Sequence, residues 1–93
     1  MSDVRAQITE IAQRLVPICR HVSVRDDEVG PFILAVSNDD EHSLELRLID
    51  GEFVLELWKG KTAEDESLEE ESRLADAKSA VERSMLWLHS DAV

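Results

Sequence analysis

The chain has 93 residues, 43% of them hydrophobic, and sets 21 Asp and Glu against 10 Lys and Arg for a formal net charge of −11. That length makes one domain spanning residues 1–93, with a thin two-layer core and no deep multi-walled pocket. The charge disfavours nucleic acids and anionic membranes as partners, since affinity for phosphate groups rests on Lys and Arg, and it favours a protein partner with a basic surface.

Apolar runs such as 32–36 fall far short of the ~20 residues that cross a bilayer. Asp3 and Glu10 flank the first apolar residues, which is unlike an export signal. Cys19 is the single cysteine, so no internal disulfide is expected, and a reducing cytoplasmic location fits.

Residues 3 to about 20 read as an amphipathic helix, because Val4, Ile8, Ile11, Leu15, Ile18 and Val22 recur at spacings of three and four. Pro17 removes a helical hydrogen bond and clashes with the preceding turn, so the helix should kink or stop near Val16. An acidic loop over 25–31 ends in Gly30-Pro31, and a short strand follows over 32–37. Asn38-Asp39-Asp40-Glu41 is a turn of residues that tolerate left-handed backbone.

Segment 44–58 writes out a β-hairpin, with Asp50-Gly51 as a type I′ turn between alternating apolar residues. Counting outward from that turn sets Ile49 opposite Glu52, Leu48 opposite Phe53, Leu46 opposite Leu55 and Leu44 opposite Leu57. The Leu and Phe side chains then share one face, and a one-residue slip would put all of them in water. Segment 62–71 is dense in acid and holds two competing capping boxes, Thr62 with Asp65 and Ser67 with Glu70. A second helix is expected over 68–89, burying Leu74, Ala77, Val81, Met85 and Leu88 and exposing acids near its start, as the helix dipole prefers. Trp87 reads as packing beside that stripe.

The expected fold is therefore α+β: a two-layer sandwich of α-β-β-β-α order, with a three-stranded antiparallel meander and two helices packed on one face. The other face is expected to be open, as antiparallel sheets permit. It would carry Glu45, Arg47, Ile49, Val54, Glu56 and Trp58. Opposed Glu45 and Glu56 suggest acid–base chemistry. Solvent screening and Arg47 on the diagonal make them a solvated charge cluster instead, so no catalytic residue is expected.

Trp58, Val54 and Ile49, with Ile33 or Ala35, would form an apolar patch of the size at which a partner docks, rimmed by glutamate. Glu69 and Glu70, in the acidic run, are the second candidate docking surface. His21, His42 and His89 are dispersed, Cys19 with His21 lacks zinc-site spacing, and 39–41 lacks the ligand pattern of an EF-hand. No metal or cofactor is expected.

The helix, three strands, helix order resembles the double-stranded-RNA-binding domain. That family grips phosphates with lysines at the start of its last helix, where this chain has Glu69-Glu70-Glu71, so its RNA function is not carried over. In its first amphipathic helix, β-meander, low pI and acidic last helix the chain also resembles type III secretion chaperones, which are longer and have further strands. In charge and size it is similar to small immunity proteins that neutralise basic toxins. Likeness of this kind concerns architecture, not a site.

The expectation is a small acidic non-enzymatic binding protein (adaptor, inhibitor or chaperone-like) with a basic protein partner. The alternatives are a structural homodimer with sheet faces packed together, and a secretion-chaperone-like or toxin-immunity protein.

Overall fold

The computed structural model describes residues 4–60, 62 and 64–89. In chain order they form α1 (Val4–Leu15), a single 3₁₀ turn (Val16–Ile18), β1 (His21–Asp27), β2 (Gly30–Val36), β3 (His42–Ile49), β4 (Glu52–Lys59), β5 (Ser67–Leu74) and α2 (Ala77–Leu88). The strands make one antiparallel sheet in the order β1-β2-β3-β4-β5. The fold is α+β with both helices on the sheet, but the meander has five strands rather than three, and the α-β-β-β-α order is corrected accordingly.

Two segments account for the difference. Residues 21–27 were expected to be helix end and acidic loop; they form β1, with Val22 opposite Ala35 and Val24 opposite Ile33. Pro17 ends α1 through the 3₁₀ turn, so Val22 reaches the core from a strand and not from a helical stripe. Residues 67–74 were expected to open the second helix; they form β5 on the edge of β4. Helix α2 starts only at Ala77, where the Asp76 side chain accepts the Ser79 N–H at 2.7 Å and caps it. With five consecutive strands, the likeness in order to the double-stranded-RNA-binding domain does not hold.

The central hairpin has the expected register. Asp50 and Gly51 both take positive φ, 52° and 81°, as a type I′ turn requires. Leu44 pairs with Leu57, Leu46 with Leu55 and Leu48 with Phe53. Asp40 is left-handed in the β2–β3 turn (φ 64°). Thr62 and Asp65 do bond reciprocally, side chain to side chain and side chain to backbone, but they close the β4–β5 turn and not a helix. Gly60 is required beside that turn: a Cβ there would stand 2.7 Å from the Asp65 backbone.

The core is one cluster in which Ile8, Ile11 and Leu15 of α1 and Ala80, Val81 and Leu88 of α2 meet the sheet face of Ile33, Ala35, Leu44, Leu46, Phe53, Leu55 and Leu57. Removing one of its fully buried leucines, such as Leu46, would cost about 2–5 kcal/mol. Two polar ties secure the edges: Arg5 of α1 pairs with Asp26 of β1, and Arg83 of α2 with Glu70 of β5.

Candidate interaction surface

Alternation along the strands leaves the second face of the sheet to residues outside the core cluster, and no described helix packs over it. Strand pairing orders this outer face into three rows that cross all five strands. One row is His21, Val36, Ser43, Trp58 and Leu68. The next is Ser23, Leu34, Glu45, Glu56 and Glu71. The third is Arg25, Phe32, Arg47, Val54 and Arg73. An apolar row thus lies beside a glutamate row, which lies beside an arginine row interleaved with apolar side chains.

Six of the sequence-derived residues fall on this face: Glu45, Arg47, Ile49, Val54, Glu56 and Trp58. Glu69 and Glu70 do not join them. Glu69 is the extra residue of a β-bulge, since Leu57 pairs with Glu70 while Trp58 pairs with Leu68. Glu70 points to the helix side, where Arg83 Nη2 donates to its carboxylate at 3.0 Å and the Ser72 hydroxyl at 2.7 Å. Those bonds, the Arg83 bond first, hold its carboxyl below the usual carboxylate range. The acidic helix start is therefore a strand edge, half of it engaged within the fold. Ile33 and Ala35 are fully buried on the inner face; the apolar additions to the outer face are Phe32, Leu34, Val36 and Leu68.

Arg47 sits at the centre of the surface. Its guanidinium carbon lies 4.3 Å from the Phe32 ring centroid, and Nη2 meets Asp27 at 2.7 Å and Glu45 at 3.5 Å. Beside it Glu56 is flanked by Glu45 and Glu71 on neighbouring strands. Burial first, then those two carboxylates, push the Glu56 pKa up against the pull of Arg47. Val54 is only 7% exposed although it lies on the uncovered face, because its row neighbours close over it. Two donors here, Arg47 Nη1 and Trp58 Nε1, are buried with no acceptor among the described residues. Such a group costs about 1–3 kcal/mol.

Ser37, Asp39 and His42 come together at the β2–β3 turn, but not as a nucleophile and its base. Asp39 is central: the Ser37 hydroxyl donates to its carboxylate, and His42 Nδ1 meets the same group at 3.1 Å. The His42 ring stands edge-on to Trp87 with centroids 4.8 Å apart, and Trp87 Nε1 donates to the Ser43 carbonyl at 3.0 Å. This cluster locks the turn to α2. A shallow groove between α1, the Asp50-Gly51 turn and the start of α2 carries Glu10, Asp50 and Asp76 and no Ser, Thr, Cys, Lys or His among its lining residues. Among the described residues no three His, Cys, Asp or Glu side chains are grouped to hold a metal, and no helix is long and apolar enough to cross a membrane.

The geometry defines a two-layer α+β protein with one helix-free, charge-striped sheet face. No protein-family model matches the chain, and comparison with curated proteins and with solved structures finds no significant match.

Proposed function

We propose that the chain is a non-enzymatic protein-binding module that works through the outer face of its sheet. The observation that supports this most is the division of labour across the sheet: both helices cover one face, while the other gathers Trp58, Leu34, Val36 and Phe32 around the Arg47 cluster. A sheet face of this kind offers apolar contact area with charges placed to fix orientation. The acid excess lies mainly elsewhere, in exposed turns such as 64–66 and in Glu28, where it keeps the protein soluble and shapes long-range encounter. On this reading the protein is an adaptor, inhibitor or chaperone-like factor.

A photo-activated cross-linking side chain at Leu34, compared with one at exposed Gln13 on α1, tests the proposal in the native host. Protein cross-links from position 34 and none from position 13 are expected. Cross-links from Gln13 alone would contradict it.

A further inference from the structure

We propose that the occupant of the outer face is a second copy of this chain, stacked face to face about a two-fold axis that runs along the rows, between the glutamate row and the arginine row. This deepens the reading of that face as the working surface and rests on it. The charge pattern of the face is self-complementary. A two-fold axis so placed exchanges the two rows, because it reverses strand direction while leaving each strand over its own counterpart. Glu45 of one copy then lies over Arg47 of the other, and Leu34 lies over Phe32. Each contact is made twice, as an isologous interface demands. Sheets stacked about 10 Å apart keep their strands within about 30° of alignment, so the match is closest on central β3 and loosens toward Glu71 and Arg73 on β5.

Three further observations favour a second copy over a basic partner. Arg25, Arg47 and Arg73 stand among Asp27, Glu45, Glu52, Glu56 and Glu71 on this face, so its acid excess is smaller than that of the chain as a whole and it presents arginines that a basic surface would repel. Arg47 Nη1 has no acceptor among the described residues, so the guanidinium at the centre of this face keeps an unsatisfied donor. The glutamate and arginine rows stack on each other and the Trp58 row falls over the other copy's Ile49–Glu52 row, a flat area on the order of 500 Å² from strand spacing and rise. With side-chain relief this approaches the ~800 Å² per partner of a standard interface.

The test is sedimentation of the full chain over a range of concentrations, alone and as charge variants. The wild type is expected to be a reversible dimer. Glu45→Arg sets arginine on Arg47, and Arg47→Glu sets glutamate on Glu45, so each variant alone should dimerise about tenfold more weakly or worse. An equimolar mixture of the two should dimerise again, since each position 45 then faces a position 47 of opposite sign. If circular dichroism shows that either variant is unfolded, Glu71→Arg and Arg73→Glu, both at exposed positions, give the same test with smaller effects. A wild type that stays monomeric at every concentration overturns the second copy but leaves the face reading standing, which then depends on the Leu34 cross-links. A dimer that both single variants form as well as the wild type also overturns the proposal, because it is held by another surface. Loss in the single variants without recovery in the mixture overturns the stated pairing.

Discussion

Arg47 and Phe32 face each other across the β2–β3 pair, with the guanidinium carbon 4.3 Å from the ring centroid. The stack explains why a side chain on an uncovered sheet face is only 18% exposed. Arg47→Lys keeps the charge but loses the planar stack and the placement of Nη2 between Asp27 and Glu45. Loss of the stack should lower unfolding free energy by about 1 kcal/mol. A urea midpoint equal to that of the wild type would contradict this.

Glu56 is the strained member of the glutamate row. Its pKa is raised in the folded state, by burial and then by Glu45 and Glu71, so the folded chain holds this proton more tightly than the unfolded chain. Stability from this group therefore falls as pH rises through its range, and the penalty is complete at neutral pH. Glu56→Gln should raise the melting temperature at neutral pH, by the few tenths to 1 kcal/mol typical of opposed like charges. The gain should vanish below the unfolded pKa of about 4.3, where the carboxyl is neutral in both states. An equal gain at both pH values would point to packing, not charge.

Asp39 behaves in the opposite sense. Burial opposes its ionisation, but the Ser37 hydroxyl, the Glu41 N–H and the His42 ring together hold its carboxyl below the usual range. A depressed carboxyl stabilises the fold above its unfolded pKa, near 3.9, and that contribution is lost as pH falls through the folded value. Asp39→Asn should melt earlier than the wild type at neutral pH, with the gap closing as pH falls below the unfolded carboxyl range. A gap that stays constant across the acid limb would contradict the network at the β2–β3 turn.

Cys19 lies half-buried where the 3₁₀ turn hands over to β1, and burial pushes its thiol up to about 11. Thiolate is therefore scarce at neutral pH, and alkylation by iodoacetamide should be slow in the native protein. Denaturant should accelerate it to the rate of an ordinary peptide thiol. Rapid native labelling would show that the segment opens.

The hairpin was legible because its turn and its alternation agree: Asp50-Gly51 fixes the register, and each Leu on one strand meets an apolar residue on the other. Strand β5 was not legible. Ser67-Leu68-Glu69-Glu70-Glu71 carries helix-forming residues and a capping signal, yet the open edge of β4 claims it as a strand. The bulge at Glu69 then turns Glu70 inward to Arg83, a contact no local pattern announces. For β1 the signal was present: Val22 and Val24 alternate with polar residues, but Val22 also fits the spacing of the preceding helix.

On β2 the run Phe32-Ile33-Leu34-Ala35-Val36 is apolar on both faces, so alternation could not say which set points outward. Pairing with β3 decides it, and so brings Phe32 and Leu34 to the surface that Glu45, Arg47, Val54, Glu56 and Trp58 already marked.

The face-to-face pairing of two copies is tested most directly by isotope-filtered NMR on a mixture of labelled and unlabelled chains. The account predicts intermolecular contacts between Leu34 of one copy and Phe32 of the other, with the exposed helix residue Leu86 showing none. Intermolecular contacts at Leu86 without any at Leu34 would contradict it.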